Sequence, residues 1–142
     1  MADNEHTFNA IKIAESIQKK TKKAMGLALS DAVVDIQQRI DSGVGVNGER
    51  YKYAKSTAKK KGKSSPVDWN DTGVLKRSID FLVEIANNSI KGYIGIKNIK
   101  RGSTSNKAIH EKLNRRFPNM WGLSKTEKDN FYRNFLRYFR NQ

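Results

Sequence analysis

Apolar residues recur at helical spacing in the first third of the chain. Met25, Leu29, Ala32, Val33, Ile36 and Ile40 form one stripe, while Asp31, Asp35, Gln38 and Arg39 lie on other faces. This pattern predicts an amphipathic helix, which Gly43 and Gly45 then end. A shorter stripe of Phe8, Ile11, Ala14 and Ile17 comes first, interrupted by Lys19, Lys20, Lys22 and Lys23. The interruption predicts a separate or kinked helical arm over residues 8–20, suited to docking on a neighbour.

From residue 78 the period changes to two. Ile79, Phe81, Val83 and Ile85 alternate with Ser78, Asp80 and Glu84, Leu82 being the exception. Asn87-Asn88-Ser89 reads as a turn, after which Ile90, Ile94 and Ile96 alternate with Lys91, Tyr93 and Lys97. This is a β-hairpin pattern. A lone hairpin is marginal in water, so the 25–41 helix is expected across its apolar face. A further strand is expected from 44–53 or from a neighbouring subunit.

Near the end, Ser124 and Glu127 have capping-box spacing. The helix they open places Phe131, Phe135 and Phe139, with Tyr132, Leu136 and Tyr138, on one broad face. Arg133, Arg137 and Arg140 fall on the opposite face. Between hairpin and helix, 107–114 reads as a short helix and 115–123 as an irregular loop. Phe117, Met120 and Trp121 in that loop must be buried in the chain's own core or against a partner.

The fold class expected is α+β: a small antiparallel β-hairpin packed on a long N-terminal helix, with an amphipathic C-terminal helix and a long basic loop. At 142 residues the chain suits one domain. Its expected parts are an arm over 1–24 and a domain over 25–142 that carries a mobile basic loop, 44–68.

Charge narrows the functional classes. The chain has 28 Lys and Arg against 14 Asp and Glu, a net +14. Such a surplus repels itself and is suited to a polyanion or to acidic neighbouring subunits. It is concentrated in Arg50, Lys52, Lys55, Lys59, Lys60, Lys61 and Lys63, opposed locally by Glu49 alone. There are no cysteines, which excludes disulfides and thiolate metal sites. No apolar run approaches the roughly 20 residues of a membrane span, and the N-terminal residues lack the pattern of a secretory signal.

No catalytic set is visible, so no enzyme, cofactor or metal is expected. The two histidines, His6 and His110, have no companions at metal-ligand spacing. Gly92 and Gly95 sit in a strand rather than in a phosphate-binding loop. Zinc-finger, RNP-type and helix-turn-helix patterns are missing as well.

The order of the features carries a resemblance. After the first helix come Gly48-Glu49-Arg50-Tyr51, Ser56-Thr57 and Lys59-Lys60-Lys61-Gly62, then Asp71-Thr72-Gly73-Val74-Leu75-Lys76-Arg77-Ser78-Ile79. The hairpin, His110, Arg115-Arg116-Phe117-Pro118, Trp121-Gly122-Leu123-Ser124 and a last helix follow. Over roughly residues 25–140 this resembles the tailed-bacteriophage virion-morphogenesis or tail-completion (neck, head-tail joining) proteins. Trp69-Asn70 stands where that family usually has an apolar Leu.

The resemblance implies a non-catalytic structural protein, made in the host cytoplasm and built into the virion. It would form a ring, commonly six-fold, between the portal or connector and the tail tube. Asp71, Thr72, Gly73, Leu75 and Ser78 would be its structural hinge. The basic loop and the arginine stripe would face packaged DNA or an acidic neighbour. Phe8, Ile11, Phe117, Met120 and Trp121 would be interface residues. The competing expectation is a small nucleic-acid-binding protein that uses the 50–63 loop and Arg133, Arg137 and Arg140. Binders of single strands interleave exposed aromatics with basic residues. Tyr51 and Tyr53 could serve in that way, whereas the last helix is expected to hold its aromatics apart from its arginines.

Overall fold

The computed structural model describes residues 10–51, 59, 77–86, 89–97, 100–101 and 104–142. The first element, α1, is a single helix of 32 residues, Ala10–Asp41. It runs unbroken through the lysine-rich segment, so the expected separate arm is its N-terminal half. Lysine is a good helix former, and Ala24 and Ala28 continue the buried stripe where larger apolar residues are lacking. Only the burial changes along the helix: residues 10–20 are all exposed, and the core begins at Ala24. Gly43 ends α1 in a left-handed conformation, φ 67°, and its N–H donates to the Ile40 carbonyl at 2.9 Å. With the Val44 N–H donating to the Arg39 carbonyl at 3.3 Å, this is a Schellman ending, whose left-handed residue glycine supplies without a Cβ penalty.

The hairpin forms as expected from β1 (Ile79–Ala86) and β2 (Ser89–Ile96). Its antiparallel register pairs Ile79 with Ile96, Phe81 with Ile94, and Ile85 with Ile90, so the apolar residues share one face. That face rests on α1. Gly92 permits the approach: a methyl group there would stand 2.7 Å from Leu29 Cδ1 and 3.1 Å from Met25 Sδ. Among the described residues the sheet has two strands. The segment after α1 contributes an isolated Val44–Arg50 bridge instead of a third strand.

A second, two-residue pair, β3 (Lys100–Arg101) with β4 (Thr104–Ser105), leads into α2 (Asn106–Arg116). Ser105 caps α2, its Oγ accepting from the Ala108 N–H at 3.3 Å. Asn106 is fully buried and ties α2 to the base of the hairpin. Its Nδ2 donates to Ser78 Oγ at 2.7 Å and to the Lys97 carbonyl at 2.9 Å. The last helix, α3 (Lys125–Arg140), has the capping box that its sequence predicts. It runs antiparallel along α1, with Tyr138 Oη donating to Asp31 Oδ2 at 2.6 Å and Gln142 Nε2 to the Lys20 carbonyl at 2.7 Å.

The core gathers where these elements meet. Ile36 and Ile40 of α1, Ile79 of β1, and Phe117 and Met120 of the irregular loop form its buried centre, with Ile94, Ile109 and Leu113 packed around them.

Candidate assembly surface

Arg39 fixes the relative placement of the surfaces. It lies on the polar side of α1 yet is nearly buried, its side chain 10% exposed. Nε donates to Glu127 Oε2 at 2.8 Å and Oε1 at 3.2 Å. Nη1 donates to the carbonyls of Val44 and Met120 at 2.9 and 2.8 Å, and Nη2 to that of Gly122 at 2.7 Å. One guanidinium therefore joins α1, the 42–51 turn, the 117–123 loop and the start of α3. Glu127 also accepts from the Ser124 N–H at 3.0 Å, so the capping box and the ion pair share a carboxylate.

The two loops are laced together beyond Arg39. The Val46 N–H donates to the Asn119 carbonyl at 2.7 Å, and Tyr51 Oη donates to the Pro118 carbonyl. Asn119 is left-handed at φ 66°, a conformation asparagine tolerates. Residues 42–51, expected as the start of a mobile loop, thus form a pinned turn. Phe117 and Met120 are buried in the chain's own core, which removes both from the candidate interface residues. Trp121 remains half-buried, in an edge-to-face contact with His110 at 5.5 Å between centroids.

His110 belongs to this packing. Burial pushes its imidazole below the usual range, and the neighbouring Glu111 only partly offsets this, so it is neutral at pH 7. Among the described residues no group of His, Cys, Asp or Glu is placed to hold a metal ion.

Among the described residues, three surfaces are open. The first is the N-terminal half of α1, where Ile11 is 71% and Ile17 52% exposed. The second is the solvent face of the hairpin. Leu82 and Tyr93, paired across the strands, are 62% and 47% exposed. They are flanked by Asp80 and Glu84 on β1, by Lys91 on β2 and by Lys97 just after it. Lys97 Nζ is 2.9 Å from Asp80 Oδ2; this bond, together with the Phe81 N–H, holds the Asp80 carboxyl below its usual range.

The third is the outer side of α3. Arg133, Arg137 and Arg140 are exposed there, as expected. Tyr132 and Leu136, however, are exposed beside them, with Tyr132 at 64%, instead of lying on the buried face. The inward side of α3 is taken by Glu127 and a stacked row of Phe131, Phe135 and Phe139, their centroids 6.5 and 6.1 Å apart. Tyr132 and Leu136 lie outside this row and face outward. The aromatics and arginines of α3 are therefore less segregated than the sequence suggests. Between β2 and α3 lies an open apolar groove of about 450 Å³, lined by Leu29, Ala32, Gly92, Ile94 and Phe131.

Of the other residues singled out by sequence, Arg50 is exposed beside its bridge to Val44, and Lys59 is exposed. Ser78 is buried as the anchor of Asn106. Phe8, Lys52, Lys55, Lys60, Lys61, Lys63, Asp71, Thr72, Gly73 and Leu75 lie outside the described residues. Sequence reasoning missed Arg39, Asn106 and the hairpin's outer face. The one available signal for Arg39 was an arginine in the last turn of a helix that must meet an acidic cap. In comparisons with known proteins, no family model, curated protein or solved structure matches the chain.

Proposed function

We propose that the chain is a non-catalytic structural protein of the phage neck, a subunit of a ring that joins the portal to the tail. The observation that carries this reading is the imbalance between core and surface. Among the described residues, Ile11, Ile13, Ile17, Leu82, Tyr93, Tyr132 and Leu136 are all large, apolar and exposed, while few large side chains are fully buried. Surfaces of that kind mark contacts with other proteins. The order of sequence motifs supplies the class, and the +14 charge suits a subunit beside packaged DNA or acidic partners. Rings built from one repeated contact are head-to-tail, and the three unlike surfaces here fit that mode.

One observation favours the second reading, a nucleic-acid-binding protein: exposed Tyr132 is next to exposed Arg133 on α3. Stacking and phosphate contacts could both be made there. Light scattering across salt concentration, with and without DNA, separates the two. The neck reading expects a discrete oligomer without DNA, and at most weak DNA binding that falls steeply with salt. A monomer with tight, sequence-selective DNA binding would contradict it.

A further inference from the structure

The hairpin has one acidic edge strand and one basic edge strand. On its solvent face β1 presents Asp80, Leu82 and Glu84, and β2 presents Lys91 and Tyr93, with Lys97 one residue past its end. Each strand is eight residues long and has, among the described residues, a partner on one side only. Long unpaired edges invite another strand, and proteins restrict which strand with charge. Pairing β1 with β1 of a second copy would set Asp80 and Glu84 against carboxylates. Pairing β2 with β2 in the register that brings Lys91 opposite Lys97 would set lysine against lysine. Like charges directly opposite destabilise a sheet. Pairing β2 with β1 of another copy in the hairpin's own register places Lys91 opposite Glu84, with Lys97, just past β2, diagonal to Asp80.

We propose that copies of this chain add to one another through the hairpin, β2 of one pairing antiparallel with β1 of the next. This names the partner surface of the ring subunit proposed above and rests on that reading. The register within the hairpin, where Glu84 faces Lys91 and Leu82 faces Tyr93, is then repeated between copies. The exposed Leu82 and Tyr93 become a continuous row, each with a cross-strand neighbour on both sides. Gly92 and Ile94 of β2 line one wall of the groove beside α3, and Phe131 the other. Asp80 now accepts from the Phe81 N–H at 2.8 Å; between copies it meets a second lysine as well. The contact is heterologous, so it closes into a ring or continues as a filament and does not stop at a dimer.

The test uses the full chain and charge swaps, read by native mass spectrometry of mixtures in which one component is isotopically labelled. The full swap, Asp80→Lys, Glu84→Lys, Lys91→Glu and Lys97→Glu together, keeps every pairing within the hairpin and between its own copies. It is expected to assemble with itself and not with the wild type. The half-swaps, Asp80→Lys with Glu84→Lys and Lys91→Glu with Lys97→Glu, are each expected to self-associate roughly tenfold more weakly or worse. Mixed, they should co-assemble in equal proportion, and circular dichroism of each alone checks that it folds. Free mixing of wild type with the full swap would overturn strand pairing and leave the ring reading standing. A wild type that stays monomeric at every concentration would overturn both.

Discussion

At the residue scale the fold turns on Arg39. Its guanidinium holds two loops and the start of α3, and its carboxylate partner Glu127 is 6% exposed. Removing one member of a buried pair strands the other, at a cost of about 3 kcal/mol or more. Arg39→Ala is therefore expected to lower stability by about that much in urea unfolding. Arg39→Lys should recover little, because a single ammonium cannot span carbonyls and carboxylate as a planar fork does. A loss below roughly 1 kcal/mol would show that the loops are held by other contacts.

Two glycines of one strand make a paired test. Gly92→Ala places a methyl group against Leu29, whereas nothing stands within 4 Å of one added at Gly95. Overpacking typically costs about 1–3 kcal/mol, so Gly92→Ala should melt clearly lower and Gly95→Ala close to the wild type. Equal effects would mean that α1 does not set the spacing of the hairpin.

Asp35 gives a pH dependence. Burial first, then Glu127 and Asp31, raises its carboxyl above the ordinary 3.8, against the opposing bond from Asn130. A raised carboxyl binds its proton more tightly when folded. The stability linked to that proton is present below the unfolded value and is lost as pH rises through the folded one. Asp35→Asn should therefore melt higher than the wild type at pH 7, with the gap closing below about pH 4. A gap that is constant with pH would exclude this origin.

At the element scale, most of what the sequence makes legible is local. The hairpin and its register follow from period-two alternation across Asn87-Asn88, and the start of α3 follows from Ser124 and Glu127. The stripe from Leu29 to Ile40 marks the buried face of α1. Periodicity failed where it measures burial instead of helicity: a polar stretch at residues 18–23 reads as a break, yet α1 passes through it. It failed again for Tyr132 and Leu136, because the width of the buried strip on α3 depends on how one neighbour packs. Arg39 and Asn106 were illegible for another reason. Their partners lie on segments remote in sequence, the Glu127 of Arg39 being 88 positions away and the Ser78 of Asn106 28. Phe117 and Met120 were left between core and interface, and the lacing of the 42–51 turn to the 117–123 loop places them in the core.

The exposed half of α1 makes its own prediction. Ile11 and Ile17 are solvated in a single copy, so Ile11→Ser with Ile17→Ser should leave the melting temperature of the monomer within about 1 °C. The same pair should weaken assembly, seen as a shift of the oligomer to smaller mass on dilution. A large drop in monomer stability instead would show that the arm packs within its own chain.

At the scale of the whole molecule, the proposal of a ring subunit rests on the +14 charge and on the unlike exposed apolar surfaces among the described residues. The central claim is that the chain self-assembles without nucleic acid, and light scattering tests it most directly. Purified protein is measured across concentration and salt, with and without DNA. The account predicts one discrete oligomer of fixed mass in the absence of DNA. A monomer at every salt concentration, gaining mass only on DNA and releasing it as salt rises, would contradict it.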